Sequence, residues 1–165
     1  MKVTYTNVNG LITVRGELNE YLKRIKPDIV GLTEIKLDKS IELLEIGDGK
    51  YDIWKKVRLN KQGGGVMILT KKDLQVAEII YGENDVEMIK VGIRNEGKAT
   101  EHFAVVYVPP KTRAWSNAEH KEMQKDTLLN LEKLIECCGN LTIMGDFNCK
   151  EVNWEEWITE GSDES

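Results

Sequence analysis

The sequence has few of the residues on which several common protein classes depend. It contains three cysteines, two histidines and three prolines among 165 residues. Cys137 and Cys138 are adjacent and Cys149 stands alone, a spacing that indicates neither a disulfide framework nor a zinc site and favours a reducing compartment. His102 and His120 are too few for a zinc hydrolase or a histidine-rich dinuclear phosphatase. A bound metal would therefore need oxygen ligands.

Membrane, export and strong charge signals are also missing. No stretch approaches the roughly 18 consecutive apolar residues of a membrane helix, and the opening MKVTYTNVNG lacks the apolar core of a signal peptide. We therefore expect an intracellular protein, nuclear or cytoplasmic, that is not secreted and binds no membrane. The formal charge of −5 excludes histone-like binding of nucleic acid over the whole surface but permits a local basic patch.

The apolar pattern predicts one layered domain of sheets with outer helices. Alternation over residues 2–9, helical spacing over 16–26 and an apolar run over 28–35 predict a β-α-β opening. A long helix is predicted over 117–138, with Asn117 as N-cap and Gly139 closing it. Further strands are expected at 51–57, 66–70, 74–81, 86–93, 101–108 and 141–145.

Two sets of residues follow from this pattern as packing predictions. The long helix should present one apolar face, formed by Met123, Leu128, Leu131, Leu134, Ile135 and Cys138. The strands should bury an apolar core almost completely, formed by Ile29, Val30, Leu32, Val66, Ile68, Val105, Val106, Leu141 and Ile143.

Small polar or acidic residues follow three of the apolar runs. They are Asn7 and Asn9, Glu34, and Asp146 with Asn148. Taken singly, each is more often a turn residue or a solvated strand end. As a group they lie where the carboxyl ends of neighbouring strands form a crevice, and their oxygens are the ligands that magnesium prefers. The group therefore predicts a magnesium site.

Two other features have weaker functional interpretations. The run Gly63-Gly64-Gly65 has no following Gly-Lys-Ser/Thr and precedes a strand, so we interpret it as a backbone bend or close contact. Basic residues at Lys55, Lys56, Arg58 and Lys61, and at Lys111 and Arg113 beside Trp115, are either solvated surface or a site for a nucleic-acid backbone.

Five segments together resemble the endonuclease/exonuclease/phosphatase superfamily, and most closely the apurinic-type endonuclease domain of non-LTR (LINE-type) retrotransposons. These segments are YTNVNGL (5–11), KPDIVGLTEIKL (26–37), GGGVMILTK (63–71), VVYVPP (105–110) and MGDFNCK (144–150). The resemblance implies an α+β fold, a layered α/β/β/α sandwich of two mainly antiparallel sheets with outer helices. It further implies hydrolysis of DNA phosphodiester bonds with Mg²⁺ or Mn²⁺, and a reverse transcriptase domain as a partner in the parent polyprotein.

The resemblance also implies a role for each residue of the site. Glu34 is the chief metal ligand, with Asn7 beside it. Tyr107 contacts the scissile phosphate, Asp146 positions or deprotonates the attacking water, and Asn148 holds a phosphate oxygen. Asn9, Lys111 and Arg113 are the expected substrate-binding residues.

The sequence departs from the family pattern near its end. A Ser-Asp-His-like segment, whose histidine is essential in the family, is missing. We therefore assign residues 1–153 to a partial domain with an incomplete second sheet, and 154–165 to an acidic tail that begins the missing part. Weak or no activity is expected. The alternatives are a non-catalytic remnant acting as a binding or scaffold module, and an RNA or lipid phosphodiesterase of the same superfamily.

Overall fold

The computed structural model describes residues 1–37, 46–58 and 61–149, and the backbone of two short strands after them. Two four-stranded sheets pack against each other, and one helix covers the outer face of each sheet. This arrangement confirms the predicted α/β/β/α sandwich. The elements are β1 (Val3–Asn7), α1 (Leu11–Ile25), β2 (Ile29–Thr33), a 3₁₀ turn (Gly47–Gly49), β3 (Tyr51–Lys56), β4 (Val66–Lys71), β5 (Val76–Tyr81), β6 (Glu87–Ile93), β7 (Glu101–Tyr107), α2 (Asn117–Cys137), β8 (Leu141–Asp146), β9 (Val152–Asn153) and β10 (Ile158–Thr159).

Each sheet contains one pair of parallel strands joined by a helix. The first sheet has the order β1-β2-β4-β3, with β1 parallel to β2 and α1 between them in the chain. The second has the order β5-β6-β7-β8, with β7 parallel to β8 and α2 between them. Strands β9 and β10 form a separate antiparallel pair. Each crossover therefore places the carboxyl ends of two parallel strands at the same edge of its sheet. These strands are β1 and β2 in the first sheet and β7 and β8 in the second.

Three apolar layers stabilise the sandwich: one beneath α1, one between the sheets and one beneath α2. Seven of the nine predicted core residues have 0% exposure, namely Ile29, Val30, Leu32, Val66, Ile68, Val105 and Val106. Leu141 and Ile143 are only half-buried, so the prediction for these two was wrong. Among the strands that the structure describes, theirs, β8, is an edge strand of the second sheet and pairs with β7 alone.

The first helix begins earlier than its apolar spacing predicted. It starts at Leu11, which is completely buried, rather than at Gly16. The backbone N–H of Leu11 donates to the carbonyl of Ile35 at 3.0 Å, which ties the first turn of the helix to the segment after β2. The helix ends where Lys26 adopts a left-handed conformation before Pro27.

The second helix buries only part of its predicted face, including the half-buried Leu131. Met123, Leu134 and Cys138 are buried, but Leu128 and Ile135 are 57% and 61% exposed. The buried face also contains polar residues whose side chains bond to backbone carbonyls. These residues are His120 (to Pro109), Thr127 (to Met123) and Asn130 (to Asp126). Because local hydrogen bonds satisfy these groups, the helix tolerates them in its core.

Both ends of α2 also differ from the prediction. The N-cap is Ser116, not Asn117: its hydroxyl accepts from the N–H of Glu119 at 3.2 Å, and the Glu119 carboxylate accepts from the N–H of Ser116 at 2.8 Å. This capping box satisfies two backbone donors at the helix start. At the other end the C-cap is the extended Cys138, so Gly139 does not close the helix.

The remaining predictions on chain organisation have different outcomes. Gly63, Gly64 and Gly65 have φ of 83°, 64° and 86° at the entrance of β4, as expected for a backbone bend. Neither helix within the described ranges combines the length and apolarity needed to cross a bilayer. The division at residue 153 stays a prediction, and the acidic tail lies outside the described residues except for the backbone of β10.

Candidate active site

The site lies where the two parallel strand pairs end. In the first sheet Asn7, the last residue of β1, pairs with Thr33, the last residue of β2. In the second sheet Tyr107 of β7 pairs with Asp146 of β8. Because parallel strands end on the same side of a sheet, the face-to-face packing brings these ends into one crevice.

The Asn7 side chain connects the two carboxylates of this crevice. Its amide Nδ2 lies 3.0 Å from Oε1 of Glu34 and 3.0 Å from Oδ2 of Asp146. Its Oδ1 accepts from the backbone N–H of Asn9 at 3.0 Å, which fixes the orientation of the amide. Three of the residues that the sequence singled out therefore meet directly, although 139 positions separate Asn7 from Asp146.

Tyr107 supplies a second donor to Glu34. Its hydroxyl donates to Oε1 at 3.0 Å, and the residue is only 4% exposed. Burial raises the pKa of Tyr107 far above its usual value, and the negative charge of Glu34 raises it further. The phenol therefore stays protonated and acts as a neutral hydrogen-bond donor.

Glu34 is held as an anion by three neighbours. Partial burial opposes its ionisation, but hydrogen bonds from Asn7, Tyr107 and Lys36 together outweigh this effect and lower its pKa. The Lys36 ammonium lies 3.4 Å from Oε2 of Glu34. The Glu34 carboxylate remains charged and 20% exposed, as a metal ligand should be.

Asp146 and Asn148 form the other side of the crevice. The backbone N–H of Asn148 donates to Oδ1 of Asp146 at 3.3 Å. The Asn148 amide instead donates to the carbonyl of Val108 at 2.9 Å, so its Nδ2 contacts backbone rather than either carboxylate. A cavity of about 550 Å³ opens here, lined by Tyr5, Asn7, Gly145, Asp146, Phe147, Asn148 and Cys149.

The backbone of the site is unusual. Seven non-glycine residues in the described ranges have positive φ, and four of them belong to this region: Asn9, Glu34, Lys36 and Asn148, at 46°, 53°, 51° and 45°. Such conformations cost about 1–3 kcal/mol each for residues with a side chain and persist where neighbouring structure enforces them. Here the enforcing contacts are backbone bonds from Gly10 to Glu34 at 2.8 Å and from Lys36 to Gly64 at 2.8 Å.

The donor set fits a hard divalent cation. No group of three or more His, Cys, Asp or Glu side chains is arranged around a common point in the described ranges, so a zinc-like site is not formed there. Two carboxylates and amide groups are present instead, which suits magnesium, since this ion is usually held by one or two carboxylates plus water and phosphate oxygens. Glu34 is the residue that would hold it, with the Asn7 side chain beside it.

The predicted substrate-binding residues have different environments. The Asn9 side-chain oxygen accepts a hydrogen bond from Lys36, so Asn9 belongs to the site. Lys111 and Arg113 are exposed in the loop between β7 and α2. Among the described residues, no hydrogen bond or ion pair joins either of them to the carboxylates.

Two members of the predicted basic patch are engaged inside the protein. The Lys56 ammonium donates to the carbonyls of Gly82 at 2.6 Å and Asn84 at 2.8 Å. Arg58 pairs with the buried Glu87 at 2.6 Å. The sequence could not separate these lysines and arginines from exposed ones, because their partners come from distant strands.

Sequence reasoning missed Lys36 and Tyr5. Lys36 contacts both Glu34 and Asn9, and its only sequence signal is its place two residues after Glu34. The Tyr5 hydroxyl lies 2.9 Å from Oγ1 of Thr33; burial raises the pKa of Tyr5, and the charges of Asp146 and Glu34 raise it further. His102 and His120, for which no site role was predicted, lie in β7 and α2, and His120 bonds to the carbonyl of Pro109.

Comparison with known proteins bears on the family and on the fold of the chain. The sequence profile of the endonuclease/exonuclease/phosphatase family matches residues 5–159. No curated protein is significantly similar to the chain in sequence.

Several solved structures share the fold. An AP endonuclease from Archaeoglobus fulgidus superposes with a TM-score of 0.68 at 20% identity, over 93% of this chain and 59% of that one. The AP endonuclease LMAP from Leishmania major gives 0.69 at 17% identity, over 91% and 56%. A 3′ phosphatase from Neisseria bound to product DNA hairpin gives 0.66 at 19% identity, over 93% and 60%. The chain thus spans roughly three fifths of the length of these structures.

Proposed function

This chain belongs to the endonuclease/exonuclease/phosphatase family, and we propose that it hydrolyses phosphodiester bonds in DNA with the help of a divalent cation. The observation that carries the proposal is the Asn7 amide, which bonds Glu34 and Asp146 at 3.0 Å each. Two carboxylates held side by side next to a cavity, with a neutral phenol beside them, form a site for a cation and a phosphate oxygen.

The proposed roles follow from the contacts. Hydrogen bonds from Asn7, Tyr107 and Lys36 keep Glu34 anionic, so Glu34 would hold Mg²⁺ or Mn²⁺, with the Asn7 side chain beside it. When bound, the cation supplies neutralisation of charge on the phosphate oxygens. Tyr107 stays protonated, so its single O–H, which donates to Glu34 in this structure, would turn to a phosphate oxygen without adding negative charge.

Asp146 is the proposed group for the attacking water. Its Oδ1 accepts from the Asn148 N–H and its Oδ2 from Asn7, so both oxygens are oriented. A water that donates to this carboxylate is directed at phosphorus, loses its proton to Asp146 and forms a P–O bond as the bond to the leaving oxygen breaks. Asn148 contributes a phosphate contact once its amide turns from the Val108 carbonyl.

The substrate and biological context belong to the proposal as well. The 3′ phosphatase from Neisseria that shares the fold was solved with a DNA hairpin, which supports DNA as the substrate. The sequence segments favour a retrotransposon-type endonuclease, with a reverse transcriptase domain as partner. We assign substrate contact to Asn9, Lys111 and Arg113, and we expect weak activity from these 165 residues on their own.

Nicking of supercoiled plasmid DNA tests the proposal. We expect slow nicking that requires Mg²⁺, stops with EDTA, and is lost in Glu34→Gln and in Asp146→Asn. Asp73→Asn is the matched control, since Asp73 is exposed after the far end of β4 and removing its charge should leave the nicking rate unchanged. Absence of nicking at stoichiometric protein would contradict the enzymatic proposal and favour a binding module. Faster cleavage of RNA or an inositol phosphate would contradict DNA as the substrate.

A further inference from the structure

A buried ion pair lies directly beneath the site, between Arg58 and Glu87. The Glu87 carboxylate is 3% exposed and accepts from Nη2 of Arg58 at 2.6 Å. Its other oxygen accepts from the backbone N–H of Gly65. Both carboxylate oxygens are therefore used, one by a guanidinium and one by the main chain.

Gly64 and Gly65 link this ion pair to the two residues that follow Glu34. The carbonyl of Gly65 accepts from the N–H of Ile35 at 3.4 Å, and the carbonyl of Gly64 accepts from the N–H of Lys36 at 2.8 Å. These two bonds hold the two residues that follow Glu34, in a turn where Glu34 has φ 53° and Lys36 has φ 51°. Since a non-glycine residue keeps such a conformation only under external constraint, the glycine run helps to hold the Glu34 turn.

Neither Gly64 nor Gly65 has room for a side chain, Gly64 because of the ion pair and Gly65 because of Ile35. A Cβ on Gly64 would overlap both the Glu87 carboxylate and the Arg58 guanidinium, and a Cβ on Gly65 would lie 2.8 Å from the Ile35 side chain. The close approach therefore explains why this strand entrance lacks side chains, in addition to its positive φ angles.

The Trp115 ring covers the Arg58 guanidinium, and the carbonyl of Gln62 orients it. The Arg58 guanidinium carbon lies 5.6 Å from the ring centroid of Trp115, and the Lys61 ammonium lies 4.4 Å from the same ring. Nη1 of Arg58 donates to the carbonyl of Gln62 at 3.2 Å. Trp115 thus packs over the guanidinium and limits its access to water.

We propose that Glu87 and Arg58 are positioning residues that fix the Glu34 turn, and through it the cation-binding carboxylate, by clamping Gly64 and Gly65. Glu87 is also the backbone partner of Tyr107, the donor to Glu34, in the second sheet, so the same residue is linked to both partners of the Glu34 contact. The geometry of the clamp stands independently, whereas its effect on cation affinity rests on the proposed function.

Glutamine at position 87 is the informative change. A carboxylate accepts on both oxygens, but an amide offers one acceptor and one donor. Because Arg58 and Gly65 both donate, Glu87→Gln must place an N–H against one of them and break that bond. The volume of the side chain is nearly unchanged, so packing stays intact.

A second ion pair, whose buried cation lies on the same strand as Glu87, provides the matched control. The Lys90 ammonium, also on β6, is 2% exposed and pairs with Glu78 at 2.5 Å. Glu78→Gln likewise leaves a buried cation with an amide partner. Glu78 lies on β5 opposite Gly92, whereas Glu87 lies at the other end of β6, near the Glu34 turn.

Amide hydrogen exchange of the metal-free protein tests the clamp. In Glu87→Gln the Ile35 and Lys36 amides should exchange faster than in the parent protein, whereas in Glu78→Gln they should not. Equal acceleration in both variants would reveal general destabilisation and overturn the proposal. Arg58→Lys, which keeps a cation beside Glu87, should give a smaller acceleration at the same two amides, and it serves as the test if Glu87→Gln fails to fold. No acceleration in either clamp variant also overturns the proposal.

Mn²⁺ binding, followed by electron paramagnetic resonance, tests the consequence for the site. Glu87→Gln should raise the Kd by about 10-fold or more, the usual effect of removing a group that supports a metal ligand, and Glu78→Gln should leave the Kd unchanged. An unchanged Kd in Glu87→Gln contradicts the functional part of the inference. If the parent protein binds no Mn²⁺, the proposed function fails, and the exchange rates still decide whether the clamp exists.

Discussion

The Tyr107 hydroxyl lies 3.0 Å from Oε1 of Glu34, although the two residues belong to different sheets. Glu34 follows β2 of the first sheet, and Tyr107 ends β7 of the second. This bond therefore forms only when the sandwich is assembled. It joins a permanently protonated phenol to a carboxylate that its neighbours keep ionised.

Replacing Tyr107 by phenylalanine should weaken the site without unfolding the protein. A hydrogen bond to a charged group contributes about 1.5–3 kcal/mol, so DNA nicking should slow by roughly 10- to 100-fold. Tyr21→Phe is the control, because its hydroxyl bonds Thr4 at 3.0 Å, on the α1 side of the first sheet. Equal nicking by Tyr107→Phe and the parent protein would exclude a role for this phenol.

Magnesium should stabilise the folded protein through Glu34. At a free concentration ten times the Kd, the free energy of unfolding should rise by about 1.4 kcal/mol, seen as a higher melting temperature. Glu34→Gln should remove most of this rise, because the variant loses a charged oxygen ligand. Asp73→Asn should retain it, and an undiminished rise in Glu34→Gln would place the cation elsewhere.

The exposed and buried leucines of α2 should respond differently to truncation. Leu134 is 5% exposed beneath the helix, so Leu134→Ala should lower the free energy of unfolding by about 2–5 kcal/mol. Leu128 is 57% exposed, so Leu128→Ala should change it by less than about 0.5 kcal/mol. Urea denaturation measures both, and comparable losses would mean that the helix faces are assigned wrongly.

The capping box of α2 should make stability depend on pH in the acid range. Hydrogen bonds from the backbone N–H and the hydroxyl of Ser116, with the nearby Lys61 ammonium, lower the pKa of Glu119 from 4.5 to about 2. The folded state thus favours the anion, and this stabilisation is complete above pH 4.5 and disappears as the pH falls toward 2. The melting temperature of Glu119→Gln should therefore fall less than that of the parent protein over this range. Parallel pH profiles for the two proteins would contradict the assignment.

Much of the fold followed from local patterns. The apolar run over 28–35 and the helical spacing before it are set by residues close in the chain, and they correctly indicated the β-α-β opening. The polar residues at strand ends were identifiable because each follows an apolar run. The errors concern helix ends and burial. The start of α1 and both ends of α2 were misplaced, and on α2 Leu128 and Ile135 are apolar yet exposed, while Thr127 and Asn130 are polar yet buried.

The sequence by itself determined the order of the elements, seven completely buried strand residues, and the identity of Asn7, Glu34 and Asp146 as candidates, since periodicity and strand ends are local properties. Only the tertiary structure decided that one amide joins both carboxylates, that Lys36 neutralises Glu34, and that Arg58 is buried against Glu87. These contacts join residues from different strands and sheets. Which polar side chains meet, and which lysines and arginines stay in water, depends on sheet packing, for which the residue spacing along the chain carries no signal.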